Sequence, residues 1–131
     1  MTHFLGIKRE RVFSPGRVDD DGSILELVAA GLREHGHEVA IFSADDDEWP
    51  EPGRETVVFA MCQGAAALTH LWHWHESGVR IINSPQAILN CQRHRTIAAF
   101  GQARIAYPAS VIVKTSAEPP LAVCTGWVCP S

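Results

Sequence analysis

The sequence predicts an α/β domain built on a mostly parallel sheet, and three observations carry that expectation. Short β-branched or apolar runs at 4–8, 38–42 (EVAIF), 56–61 (TVVFAM) and 79–82 alternate with stretches whose apolar residues recur at helical spacing. Segments dense in Pro, Gly and Asp separate them. The chain has 131 residues, 46% of them apolar, which is enough for one core and too little for a second independent domain. Alternation of this kind is the pattern of a layered sheet with crossover helices. A small α+β domain is the competing reading, and the order of strands within the sheet is not legible from the sequence.

Each element has a local reason. Residues 4–8 are a compact apolar first strand, followed by the loop VFSPGRVDDDGS. Asp21 or Ser23 is suited to cap the next helix, Ser23 with Glu26 three residues on. Ile24, Leu25, Leu27, Val28 and Leu32 then mark that helix over 24–32, and Gly36 supplies a left-handed stop. The strand at 38–42 leads into an acidic loop with two prolines over 43–54. The strand at 56–61 is apolar on both faces, as expected of a strand covered on both sides. A helix is expected over 65–76, then Gly78 and the strand 79–82. Pro85 suits the first turn of a short helix capped by Ser84, continuing through 87–89. A further helix is expected over 93–102, an extended stretch opens at Tyr107 and Pro108, and a last strand is expected at 110–114.

The charge balance narrows the partners. Eleven Lys and Arg against fifteen Asp and Glu give a formal net charge of −4, which suits solubility and opposes tracking of a phosphate backbone. Lys8, Arg9 and Arg11 are the nearest thing to a basic patch, and Glu10 interrupts them. No stretch of about 18 apolar residues is present, so neither nucleic acid nor membrane is an expected partner. The N-terminus lacks the pattern of a secretory signal, and four scattered cysteines are too few to suggest an exported disulfide scaffold. The simplest compartment is the cytoplasm, with reduced thiols.

Several clusters have chemistry to weigh. Ser14, Pro15, Gly16 and Arg17 lie between the first strand and first helix, where loops of an open α/β sheet line the binding crevice. Neither GxGxxG nor GxxxxGK[ST] occurs, which disfavours a dinucleotide or P-loop site. Asp19, Asp20 and Asp21, and Asp45, Asp46, Asp47 and Glu48, read as solvated loop acid rather than a cation site. In THLWHWHE, His70 and His73 share a helical face while His75 lies off it, so a helix with Trp72 and Trp74 against the sheet is favoured over zinc. Cys62, between a strand and a helix N-terminus, is the candidate nucleophile of a hydrolase or amidotransferase. Cys124 and Cys129, four residues apart, imply little. Arg93, His94 and Arg95 open a helix, where free N–H groups and guanidinium forks suit an anion.

The run GVRIINSPQAILNCQRHRTIAAFGQARIAYPASVIV at 78–113 resembles the segment joining the N-terminal domain of ATP-grasp enzymes to their nucleotide-binding part. Asn83, Ser84 and Pro85 match the turn; Arg93 or Arg95 takes the place of a basic residue approaching ATP phosphates; Tyr107, Pro108 and Ser110 match the proline-bearing stretch. The resemblance implies a three-layer, Rossmann-like pre-ATP-grasp domain over 1–113, including the start of the connection, with 114–131 as linker and truncated or disordered tail. It also implies a substrate side at Ser14, Pro15, Gly16, Arg17 and Gln63, facing a small carboxylate or amine, and it leaves room for a homodimer.

Relatives of that kind join carboxylate to amine through an acyl phosphate, using ATP and Mg2+. Where the first nucleotide-binding lysine belongs, this chain reads Pro120, Leu121, Ala122, Val123 and then Cys124, and Lys114 falls earlier. The isolated chain is therefore expected to hold no cofactor and to lack competence alone, serving as the substrate-side domain of an ATP-dependent ligase-like protein. A small α/β binding or regulatory module without that ancestry, and a Cys62-dependent hydrolase or amidotransferase, are the alternatives.

Overall fold

Four strands form one parallel sheet in the order β2-β1-β3-β4: β1 His3–Lys8, β2 Glu38–Ser43, β3 Thr56–Ala60 and β4 Arg80–Ile82. The computed structural model describes residues 1–112 of the chain. Helix α1 (Val18–Glu34) connects β1 to β2, and α2 (Ala65–Glu76) connects β3 to β4. The first crossover moves one way along the sheet and the second moves the other. Right-handed crossovers therefore set the two helices on opposite faces. The expected α/β class and parallel sheet stand, with helices flanking the strands.

The α2 face holds the main core. Leu5, Val58 and Ile81 are in register across β1, β3 and β4, and all three are buried. Ile7, Cys62, Ala67, Leu68, Leu71, Trp74 and Val79 complete that cluster. The other face is thinner. Gly6 pairs with both Ile41 and Phe59, and a Cβ on Gly6 would fall 2.7 Å from the Phe59 ring, so glycine makes room for that ring to cross β1. Because α1 packs over β1 and β2, Val57 and Phe59 of β3 are only half-buried, short of the two-sided cover their composition suggests.

Helix ends explain where sequence and structure agree and differ. Gly36, with φ of 81°, closes α1 in a Schellman motif: Gly36 N–H reaches Arg33 O and His37 N–H reaches Leu32 O. Gly78, with φ of 90°, repeats the motif after α2. Helix α1 starts six residues earlier than its apolar spacing indicates, with Arg17 at the cap position and no side-chain cap. Asp19, Asp20 and Asp21 thus occupy its first turn, where the helix dipole favours carboxylates, rather than a solvated loop. Ser23 is inside the helix and donates to Asp19 O.

Along β2, Glu38 N–H and the following Ala44 N–H point to β1, so Val39, Ile41 and Ser43 face outward. Arg33 Nη2 donates to Val39 O at 2.9 Å, Asp46 Oδ2 accepts Ser43 N–H at 2.9 Å, and Asp46 N–H donates to Ser43 O at 3.1 Å. Asp45 accepts Arg11 N–H at 3.0 Å, so two acids of the second run tie down backbone. Trp49 anchors the same loop, stacking on His70 at 4.5 Å and leaning on Phe42 and Trp74.

The described chain divides after Asn90. In the first unit, α3 (Pro85–Asn90) ends the fold, with Ser84 Oγ accepting Ala87 N–H at 3.2 Å as the sequence suggests. The second unit, taken alone, contains α4 (Arg93–Gln102) and residues to 112. Arg104, at φ of 54°, closes α4, and Phe100 and Tyr107 rings lie 6.2 Å apart. Residues 110–112 form no strand, contrary to expectation. The rest of that expected strand, and the expected tail at 114–131 with Cys124 and Cys129, lie outside the described residues.

Candidate functional site

In a parallel sheet whose first connection runs one way and the next the other, a crevice opens beyond the carboxyl ends of the two central strands. Here these are β1 and β3. Leaving β1, the chain places Arg9 and Glu10 side by side; a single 3₁₀ turn at Arg11–Phe13 and a turn at 14–17 then deliver α1. Gly16 adopts φ of 72° in that turn, a conformation costly for any residue with a Cβ.

Glu10 is 8% exposed, and its position accounts for its burial. Its Oε1 accepts Gly64 N–H at 2.8 Å and its Oε2 accepts Gln63 N–H at 3.1 Å. Gly64 is the cap residue of α2, so the Glu10 carboxylate sits on the positive end of that helix. The fit is close: a Cβ on Gly64 would lie 2.6 Å from Glu10 Oε1 and 2.9 Å from the Phe13 ring. The place where a sheet of this kind offers backbone N–H groups to a phosphate is therefore filled by the chain's own carboxylate.

Arg9 links the two loops. Its Nη2 donates to Gln63 Oε1 at 3.0 Å and its Nη1 reaches Asp21 Oδ2 at 3.3 Å, while its Nε is buried with no hydrogen-bond partner among the described residues. Asp21 also accepts a hydrogen bond from Ser14 Oγ. That bond, more than the nearby Arg9 and Arg17 charges, holds the Asp21 carboxyl below its usual range against the opposing effect of burial. Ser14 is 4% exposed, unusual for a turn residue, because this bond draws it inward.

Two recesses share Arg9, Ser14 and Asp21 as walls. One, of about 360 Å3, is completed by Phe13, Pro15, Arg17 and Asp20 among others; the second, of about 260 Å3, by Lys8, Arg11 and Ser43 among others. The sequence-derived Ser14, Pro15 and Arg17 thus meet at one cleft, Gly16 shapes the turn, and Gln63 joins through Arg9. Arg9, Glu10 and Asp21 were missed as site residues. The signal for the first two was a charged pair directly after the first strand. A larger cleft of about 590 Å3 opens at the amino ends of the strands beside His3, His37 and Glu38, where His3 Nδ1 and Glu38 Oε2 are 2.7 Å apart. Ligands of parallel sheets gather at the opposite edge.

Other candidates separate from this cleft. Cys62 is 1% exposed, and burial together with the Glu10 charge pushes its thiol up to about 12. A nucleophile needs the thiolate, so the expected lowering by a helix N-terminus is reversed, which argues against Cys62 as a nucleophile. In the histidine run, Trp74 is buried and Trp72 packs partly against the core, while His70, His73 and His75 stay on the outside of α2. Among the described residues, no three His, Cys, Asp or Glu side chains converge as a metal site. Arg93 and Arg95 are exposed in the first turn of α4, in the second unit; two residues apart on a helix, they point to different sides. No helix among the described residues is long and apolar enough to cross a membrane. Comparison with protein-family models, with curated proteins and with solved structures gives no match, so the geometry of the Ser14–Asp21 cleft is the ground for a functional reading.

Proposed function

We propose that the chain is a small α/β binding module, taking a small carboxylate- or amine-bearing ligand in the cleft at the carboxyl end of β1. One observation carries this reading: Ser14, Pro15 and Arg17 meet Arg9, Asp20 and Asp21 around a single recess at the point where the strand order reverses. Arg17 and Asp20 are exposed and pair with each other at 3.3 Å, so a ligand carboxylate would share the Arg17 fork and a ligand amine the Asp20 carboxylate. Glu10 on the α2 terminus argues against a phosphate at that point.

A second reading keeps the same cleft and makes it the substrate side of an ATP-dependent carboxylate–amine ligase-like protein. The Ser84-capped turn at Asn83, Ser84 and Pro85, with a helix opened by Arg93, supports it. Amide chemical-shift mapping tests both. Small dicarboxylates, amino acids or diamines at millimolar concentration should move the resonances of Ser14, Gly16 and Arg17, and Arg17→Ala should weaken that response. If none of these ligands moves them, the binding reading is wrong. Mg2+-dependent shifts from ATP centred on Arg93 and Arg95 would favour the ligase reading over the free-standing module.

A further inference from the structure

We infer that the outer side of α1 is the contact surface of a two-fold symmetric dimer of this chain. Helix α1 buries only Leu25 and Ala29 against the sheet. Leu27 is 73% exposed, and a groove of about 820 Å3 runs along the helix past Asp19, Gly22, Ser23, Leu27, Ala30 and Arg33. Asp19, Gly22, Glu26, Ala30 and Arg33 recur at intervals of three and four and form one row, with Ser23 and Leu27 beside it. Small residues on the floor and a single protruding leucine accept a second helix at close range. A Cβ on Gly22 would meet nothing within 4 Å, so the floor is open.

Charge identifies the occupant. Asp19 and Arg33 stand at opposite ends of the row, each seven residues from Glu26. A second α1 laid antiparallel, with the two-fold axis opposite Glu26, places Asp19 of each copy beside Arg33 of the other. It also opposes the two helix dipoles. Glu26 would then face its own copy, and Lys8 Nζ already neutralises it at 3.0 Å. A groove complementary to itself is what an isologous contact requires, whereas an unrelated partner would impose no such symmetry. Val18, also exposed, adds to the apolar part of the groove. One helix pair buries less than a standard interface, so a weak, concentration-dependent dimer is expected.

Sedimentation velocity on the full chain, across a wide concentration range, tests the assignment. The wild type should pass from monomer to dimer, and Leu27→Glu should weaken the dimer at least about tenfold, the effect of about 1.4 kcal/mol. Asp19→Arg and Arg33→Asp should each weaken it, and the double exchange should restore most of the loss. Circular dichroism confirms folding; should Leu27→Glu fail to fold, the charge exchange decides alone. A monomer at every concentration overturns the inference, as does a dimer indifferent to the variants or a double exchange that restores nothing.

Discussion

Replacing Glu10 by Ala removes the acceptor of two backbone donors, Gly64 N–H at 2.8 Å and Gln63 N–H at 3.1 Å, at a site only 8% exposed. Hydrogen bonds to a charged acceptor contribute about 1.5–3 kcal/mol each, and a lost helix cap costs about 1 kcal/mol. These are overlapping descriptions of the same contacts, so about 2–4 kcal/mol is expected rather than their sum. In a domain of this size that lowers the melting temperature by roughly 10–25 °C. Urea unfolding followed by circular dichroism measures the loss, with the exposed loop change Glu48→Ala as a control near zero. A two-way cycle with Gly64→Ala sharpens the assignment. Its added Cβ would meet Glu10 Oε1 at 2.6 Å, so Gly64→Ala should cost less in the Glu10→Ala background, with a coupling of about 1 kcal/mol or more. The contact to Phe13 remains in both backgrounds. A Glu10→Ala loss within 0.5 kcal/mol of the control, or strict additivity with Gly64→Ala, would refute the capping role.

Asp21 has a depressed folded-state pKa, led by its Ser14 hydrogen bond, so its stabilisation is complete above the unfolded value of about 3.9 and is lost as pH falls through the lower folded value. Urea midpoints below pH 4 should therefore fall less steeply in Asp21→Asn than in the wild type; equal slopes would show that the carboxylate is not held this way. Cys62, raised to about 12 and 1% exposed, should resist alkylation at pH 8 in the native chain while exposed Cys91 reacts, as peptide mapping by mass spectrometry reads. Arg104 holds the left-handed position that closes α4, so Arg104→Gly should stabilise the last turn by up to about 1 kcal/mol, seen as slower amide exchange at Arg104 and Ile105.

The parts of the fold governed by local chemistry were readable. Helix α2 has the bounds its apolar positions indicate, and Gly36 and Gly78 end their helices as glycines with no Cβ penalty can. The start of α1 was hidden because Asp19, Asp20, Asp21 and Gly22 look like loop residues; their acids favour a first helical turn only once a dipole exists. The site was half legible for a similar reason. Ser14 and Arg17 stand out in a loop of the right topology, whereas Glu10 and Gln63 are 53 residues apart and meet only when β3 is laid beside β1. Cys62 misled because its closeness to a helix N-terminus is visible in sequence, while the burial that decides its pKa is not.

The treatment of β2 bears on how the sheet can grow. An edge strand offers its outward N–H and C=O groups to any passing strand, and a six-residue run as apolar as EVAIFS would be a ready template for aggregation. Arg33 and Asp46 occupy three of those outward groups, leaving Val39 N–H and the two groups of Ile41 among the described residues. An incoming strand would find both ends of its ladder already taken. Loss of Asp46 would expose one end for pairing, so this acid, unremarkable within a solvent-facing run, keeps the sheet finite on that side.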